Sequence, residues 1–393
     1  MFCCAWAAVA TAQPAQTGLT LSQAVDAAWA ISVQKSASSG QVGAARASQV
    51  AAQSPWAAPP AVELGYRGDP LSSVAGRRET EVGLAWPLLL PGQRSAREAS
   101  ANAGLDAAQA GERAAKLLVA GEVREASWQV LARTAELAVA TAQAGSLRAL
   151  AGDVDRRVAA GDLARSDALA SHAERLAAES ESTDAEQRLR SARSAWRVLT
   201  GTDSVPEAAE AEANAMAEDH PQLLHSRLRV EAARERLELV RATRRDPPEL
   251  MVRYRNEIAA AGAGSQSSVG LAMRMPLGTE DRNLPREAAA LAELDLARVE
   301  ERRLRARLQA GFEVARAATA AAMGQLAMAE SRVTLLRERA RLIELSFRAG
   351  ETALPELLRT LAAAALAESS LARQRAELGL ARAKAQQAAG VLP

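Results

Sequence analysis

Long stretches of this chain repeat small apolar and charged residues at helical spacing, and short segments of alternating apolar and polar residues interrupt them. The alternating segments come in pairs, and the first segment carries Val62, Leu64 and Tyr66 on one face. A period of two is the pattern of a β-strand with two different faces. The sequence therefore predicts two β-hairpins, at about 61–87 and about 249–276, within a mainly helical chain.

Each hairpin is followed by a helical pattern of roughly 60 residues, far longer than the helices of ordinary globular proteins. The first long pattern and its return helix cover about 94–200, and the second pair covers about 284–389. Gly161 and Gly350 interrupt these patterns and predict the turns at which each helix reverses. Because helices of this length need partners along their whole length, we predict long antiparallel hairpins of coiled-coil type.

The two halves of the chain match at several anchors with an offset of about 188 residues, which indicates a tandem duplication. The anchors are Gly65-Tyr66-Arg67 with Arg253-Tyr254-Arg255, Val82-Gly83-Leu84-Ala85 with Val269-Gly270-Leu271-Ala272, and Ala160-Gly161-Asp162 with Ala349-Gly350-Glu351. We predict one repeat at 13–200, a linker at 201–218 and a second repeat at 219–393. A helix opens each repeat, at about 21–53 and about 221–244.

The first residues form a short apolar run that ends in Ala10-Thr11-Ala12. Such a run before a small-x-small site is typical of a secretory signal peptide, so we predict a signal at 1–12, truncated at its basic start. Cys3 and Cys4, the two cysteines of the chain, fall within it, so the exported part would have no disulfide. No other segment has 18 consecutive apolar residues, so no transmembrane helix is predicted.

Composition narrows the classes of function. With 48 basic and 47 acidic residues the formal net charge is +1, which disfavours a nucleic-acid partner. Aromatic residues make up 3% of the chain, and alanine-rich helices favour bundles or tubes over a compact enzyme core. The sequence has no phosphate-binding loop and no nucleophile elbow, and His172, His220 and His225 lack the spacing of metal ligands. We therefore predict no catalytic, cofactor or metal site.

Four strands are too few to close a barrel, although Tyr66, Trp86 and Tyr254 lie on the apolar strand faces like the interfacial aromatics of membrane barrels. An open sheet edge in lipid would leave backbone groups unpaired, so other copies must complete the sheet. Three copies would supply a twelve-strand barrel and a tube of twelve helices. The alternative is a periplasmic coiled-coil scaffold, or an adaptor protein, without a pore.

Several segments together carry a family resemblance that covers about 19–390. They are Leu-Thr-Leu-Ser-Gln-Ala-Val at 19–25, Pro-Leu-Leu-Leu-Pro-Gly-Gln-Arg at 87–94, and the two Ala-Gly-acid turns. In order and spacing they resemble the TolC-type outer-membrane efflux proteins, and the strand-to-helix junction resembles the heavy-metal subfamily. The resemblance implies a homotrimer with its β-barrel in the lipid of a Gram-negative outer membrane and its helical tunnel in the periplasm.

The same resemblance implies a passive exit duct without enzymatic activity. A periplasmic adaptor and an inner-membrane pump, of the proton-driven type, would deliver the substrate, with heavy-metal cations as the substrate that the subfamily favours. The alternating strands, joined to this resemblance, place a set of residues of both charge signs on the pore-lining face. They are Glu63, Arg67, Glu81, Arg253, Arg255 and Arg274.

The resemblance also assigns residues to the helical turns. The tips at which an adaptor would dock are Ala160, Gly161, Asp162, Ala349, Gly350 and Glu351. Asp167, Glu356 and Arg359 would form the tunnel constriction, where a ring of carboxylates attracts cations and pairing with arginine acts as a latch. Arg359 departs from this pattern, because the best-known relative of the family has a second acid at this position. The alternatives are ordinary helix caps at the tips and a solvated helix face at the constriction.

Overall fold

The computed structural model describes residues 19–69, 76–206, 210–260 and 262–393, so the predicted signal at 1–12 lies outside the described residues. The protein is mainly helical with one four-stranded antiparallel sheet, which confirms the predicted fold class. In chain order the elements are α1 (Leu21–Ile31), α2 (Val33–Ala52), β1 (Ala61–Gly68), β2 (Arg78–Pro87), α3 (Gln93–Ala160), α4 (Arg165–Thr200), α5 (Pro221–Ala242), β3 (Glu249–Ile258), β4 (Ser265–Arg274), α6 (Glu280–Arg348) and α7 (Leu354–Ala389).

The chain forms two compact units, and each takes segments from both predicted repeats. The helical unit comprises the described residues of Met1–Lys35, Lys116–Glu218 and Gln309–Pro393, and the sheet unit comprises those of Ser36–Ala115 and Asp219–Leu308. The predicted linker at 201–218 belongs to the helical unit, and its described residues hold no helix or strand. The division into units therefore follows packing rather than the order of the repeats.

The opening helix predicted at about 21–53 is in fact two helices, so that prediction was wrong at its centre. Ser32 separates α1 from α2, because its Oγ donates to the Trp29 carbonyl at 2.9 Å and accepts from the Lys35 N–H at 3.1 Å. A serine that bonds to nearby backbone competes with continued helix, and its neighbours Ile31 and Val33 are weaker helix formers than alanine.

The core of the helical unit packs α1 against α3 and α4. Its buried residues are Ala24, Val25, Ala28, Val119, Ala120, Val123, Val130, Leu189 and Trp196. Trp196 is the largest fully buried side chain, and its Nε1 donates to the Ser204 carbonyl at 3.1 Å. This bond attaches the segment after α4 to the core, while the many alanines allow the helix backbones to approach closely.

Both long helices end in the same left-handed glycine turn. Gly161 has φ +87° and Gly350 has φ +81°, a conformation that glycine adopts without steric cost. The Asp162 N–H donates to the Arg157 carbonyl at 2.9 Å, and the Glu351 N–H makes the equivalent bond at 3.0 Å. These bonds satisfy carbonyls at the helix ends, so α3 and α6 terminate sharply and the chain reverses into α4 and α7.

The sheet has the strand order β1-β2-β3-β4, with β1 and β4 at its edges. Glu63 lies opposite Gly83 in the first hairpin, and Met251 lies opposite Ala272 in the second. With β1 and β3 aligned at 188 residues, as their tyrosine motifs indicate, β2 and β4 correspond at 189. The Val-Gly-Leu-Ala motifs, 187 residues apart in sequence, are therefore two residues out of structural register, a slip that leaves each side chain on its face.

Candidate functional site

One face of the sheet carries the charged strand residues, and these residues pair across the strands. Arg253 Nη2 lies 3.6 Å from Glu63 Oε2, on opposite sides of Gly83. A Cβ at Gly83 would stand 3.4 Å from the Glu63 Cβ, so the absence of a side chain leaves room for this pair. Arg274 Nη1 lies 3.6 Å from Glu249 Oε2. The face thus combines both charge signs with small residues.

The same face has a second group of charges that the sequence analysis missed in part. Arg255 Nε lies 2.9 Å from Glu79 Oε1, and Arg67 Nη1 lies 3.8 Å from the other oxygen of that carboxylate. Arg255 also pairs with Glu257 at 3.1 Å, while Glu81 lies opposite Arg255 in the register. Glu79 escaped notice because its segment reads as a loop, but β2 begins at Arg78 and continues the polar alternation through it.

The opposite face of the sheet is apolar and exposed. Its large exposed side chains are Val62, Leu64, Tyr66, Val82, Tyr254, Val269, Leu271 and Met273, with exposed fractions from 43% to 78%. Within β4 the apolar stripe from Val269 to Met273 covers about 14 Å at roughly 3.4 Å per residue. Met275 and Leu277, just beyond the strand, are exposed as well. An apolar surface of this kind marks contact with a membrane or another protein.

Glu356 lies between two arginines, one of which the sequence did not indicate. Its Oε1 accepts from Arg339 Nη2 and its Oε2 accepts from Arg359 Nη1, each at 2.9 Å. Arg339 lies on α6, so the pair links the ends of α6 and α7 near the turn. Asp167 makes a different contact, because its Oδ2 accepts from the Ala164 N–H at 3.3 Å and caps α4.

The two predicted tips are exposed, and a cation–aromatic contact lies beside them. The Arg157 guanidinium lies over the Phe347 ring, 5.0 Å from its centroid, and donates to the Phe347 carbonyl at 3.4 Å. Phe347 packs in a buried cluster with Val154, Leu354 and Leu357. These contacts hold the ends of α3 and α6 side by side, although no short-range pattern in the sequence joins residues so far apart.

Ion pairs also join the helices of each hairpin above the turns. Arg148 on α3 donates to Glu179 on α4 at 2.8 Å, and Arg375 on α7 donates to Glu330 on α6 at 3.2 Å. The hydrogen bond from Arg148, with a further one from Arg175, holds the pKa of Glu179 below its ordinary value. The carboxylate is therefore ionised at neutral pH, and the pair is present there.

Within the described ranges, no α-helix has an apolar stretch long enough to cross a bilayer. In the same part of the chain, no three His, Cys, Asp or Glu side chains are grouped in a way that could hold a metal ion.

Comparison with known proteins gives a structural answer only. No protein-family model and no curated protein matches the sequence. The structure is similar to the outer membrane protein VceC of Vibrio cholerae, with 13% identity, a TM-score of 0.77 and coverage of 94% of this chain and 96% of VceC. It is also similar to the outer membrane channels MtrE of Neisseria gonorrhoeae (15%, 0.77, 95% and 89%) and CmeC of Campylobacter jejuni (12%, 0.75, 94% and 85%).

The fold is therefore that of the TolC-type outer-membrane channels, over nearly the whole chain. This likeness confirms the predicted fold, and it covers both the sheet and the long helical hairpins. It does not separate one subfamily from another, so the heavy-metal assignment stays a prediction.

Proposed function

We propose that the protein is an outer-membrane channel, the passive exit duct of a tripartite efflux system. The observation that carries the proposal is the two-faced sheet: an exposed apolar face, a polar face with paired charges, and two edge strands that have no second neighbour among the described residues. Lipid would cover the apolar face, and further copies would pair with the edges. Four strands are too few to close a barrel, and three copies would supply a barrel of twelve strands.

The first test is the location and mass of the full chain. We expect it in the outer-membrane fraction, and we expect detergent to extract a complex of about three times the chain mass that conducts ions in planar bilayers. A soluble monomer or dimer in the periplasm would overturn the duct and favour a coiled-coil scaffold.

A charged side chain on the apolar face should prevent stable insertion. Leu271→Lys is expected to cost about 2–4 kcal/mol in the membrane-inserted state, the cost of lysine on the lipid face of a barrel. Ala272→Lys is the matched control, since its neighbouring position faces the polar side. The measurement is the amount of heat-resistant oligomer in the outer membrane. Equal loss in both variants would contradict the assignment of the faces.

The exposed glycine turns at Gly161 and Gly350 are proposed as the sites at which adaptor helices dock. Their small side chains and shared backbone geometry support this, because a partner helix can approach a turn without a Cβ more closely. The energy for transport would come from the partner pump.

We further propose that Glu356, with Arg339 and Arg359, latches the tunnel constriction, and that Asp167 contributes a second carboxylate. Glu356→Ala and Arg339→Ala should each raise single-channel conductance in planar bilayers, because either change breaks the pair that links α6 to α7. Glu368→Ala is the control, since it breaks the α6–α7 pair with Arg337 farther from the turn. Unchanged conductance in both latch variants would contradict the proposal that this ion pair closes the constriction.

The two latch variants also separate a mechanical role from an electrostatic one. Loss of cation preference in Glu356→Ala, but not in Arg339→Ala, would show that the carboxylate itself acts on ions.

For the substrate, heavy-metal cations are the proposal that the sequence resemblance favours. Metal tolerance of cells with and without the chain and its pump is the corresponding test.

A further inference from the structure

The sheet has two strand edges with no neighbour in the described part of the chain, one on β1 and one on β4. Both strands expose alternate apolar residues, such as Leu64 on β1 and Leu271 on β4. Antiparallel sheets extend through such edges by backbone hydrogen bonds. The inference below rests on the proposed function, since it concerns the register in which a second copy joins.

The faces of the sheet restrict this register. The polar face carries odd-numbered residues on β1, such as Glu63 and Arg67, and even-numbered residues on β4, such as Ala272 and Arg274. Neighbouring strands keep their side chains on common faces, so odd positions of β1 must lie opposite even positions of β4. This rule is satisfied by a series of registers that differ from one another by two residues.

The junction of β2 with β3 indicates one register of this series, because it joins the hairpin of the first repeat to that of the second. Residues of β3 correspond to residues of β1 that lie 188 positions earlier, and residues of β4 correspond to residues of β2 that lie 189 positions earlier. Pro87 and Pro276 are likewise 189 residues apart. Ala85 lies opposite Met251 at the internal junction. The corresponding residues at a junction between copies are Arg274 and Glu63.

Charge favours the same register independently. Arg274 and Glu63 have opposite charges and lie on the polar face. A slip of two residues in either direction would place Arg274 opposite Ala61 or Gly65, which offer no charge. Cross-strand pairs of opposite charge stabilise a sheet, so the register from the repeat is also the one that charge selects.

Within each chain, Glu63 and Arg274 each already pair with a residue of opposite charge on β3. Glu63 lies 3.6 Å from Arg253, and Arg274 lies 3.6 Å from Glu249. Joining the copies in this register produces a line of alternating sign across the junction, from Glu249 through Arg274 and the second copy's Glu63 to its Arg253.

The ends of the strands agree with this pairing. At the internal junction the Leu88 N–H donates to the Pro248 carbonyl at 2.7 Å. The corresponding residues are Leu277 and Pro60, at offsets of 189 and 188. Leu277 is 85% exposed in the single chain, and the same register brings it against Pro60 of the second copy.

We infer that β4 of one copy pairs with β1 of a second copy of this chain in the register that sets Arg274 opposite Glu63, where the two form an intersubunit ion pair on the pore-lining face. Ala272 then lies opposite Gly65, and Met273 lies opposite Leu64.

Cysteine cross-linking of the full chain tests the register directly. The in-register variants are Ala272→Cys with Gly65→Cys and Met273→Cys with Leu64→Cys; both are made because successive pairs alternate between the two kinds of antiparallel site. The slipped controls are Ala272→Cys with Arg67→Cys and Met273→Cys with Val62→Cys. Cys3 and Cys4 are changed to alanine throughout. A bond within one chain is excluded, since β1 and β4 are separated by two strands, about 14 Å.

We expect covalent dimers and trimers from an in-register variant after mild oxidation, at least about tenfold more than from its slipped control, because Cβ atoms on the diagonal are too far apart for a relaxed disulfide. Stronger cross-linking in a slipped control, or none in either in-register variant although the complex is trimeric in the outer membrane, would overturn the register and leave the duct intact. A soluble chain that forms no oligomer would overturn the duct and the register together.

Discussion

Replacing Gly379 by alanine is expected to destabilise the helical unit by about 1–3 kcal/mol, although alanine is the better helix former. Gly379 is buried on α7, and a Cβ there would overlap the Cη2, Cζ3 and Cζ2 atoms of the Trp128 ring on α3. A rigid indole ring cannot yield at one atom, so the ring or α7 must move. Thermal unfolding in detergent, followed by far-ultraviolet circular dichroism at fixed protein concentration, measures the loss.

Gly145→Ala is the matched control for this prediction. Gly145 lies on α3 within the same unit, and a Cβ there meets no atom within 4 Å. The substitution should therefore stabilise the helix by up to about 1 kcal/mol, the opposite sign. In a Trp128→Ala background, Gly379→Ala should lose its cost. Stabilisation by Gly379→Ala in the native background would show that the ring does not pack on this glycine.

The strands could be predicted because their pattern is local. Alternation over Val62, Leu64 and Tyr66 identifies both the strand and its two faces, since successive side chains of a strand point to opposite faces of the sheet. The glycine turns were equally accessible, because only a residue that tolerates positive φ ends such helices sharply, and Gly161 and Gly350 each stand in the same Ala-Gly-acid context.

What the sequence did not provide was the partner of each charge. Glu356 and Arg359 lie three residues apart on one helix, so their pairing is a local property. Arg339 reaches the same carboxylate from α6, and many other arginines on that helix have an equivalent pattern. The helix break at Ser32 was missed for a related reason, since a serine within a helical pattern breaks it only when its backbone bonds compete successfully.

Arg124 is the clearest case of a residue that the sequence could not single out. It lies in the middle of α3 among alanines and other charged residues, and its side chain is 2% exposed. Its guanidinium donates to Glu210 at 2.7–3.0 Å, to Gln387 Oε1 at 2.7 Å and to the Val391 carbonyl at 3.0 Å. One buried cation thus joins α3 to the segment after α4 and to the chain after α7, which are remote in sequence.

Arg124→Met is expected to destabilise the helical unit by about 3–5 kcal/mol, because removing one partner of a buried ion pair leaves the other charge without compensation. Arg190→Met is the matched control: Arg190 pairs with Glu186 at 2.8 Å, but both side chains are more than half exposed. That pair should be worth no more than about 0.5 kcal/mol. The same unfolding measurement compares the two variants, at one protein concentration because the stability of an oligomer depends on it.

The double variant Arg124→Met with Glu210→Gln separates the charge from the packing. If the cost of Arg124→Met is mainly the carboxylate that it leaves behind, then removing that negative charge should recover part of the lost stability. A cost that stays the same in the double variant would instead assign the effect to the hydrogen bonds with Gln387 and Val391, and hence to anchoring of the end of α7 and of the residues that follow it. A loss no greater than that of Arg190→Met would contradict both, since it would mean that the buried pair does not hold these three segments together.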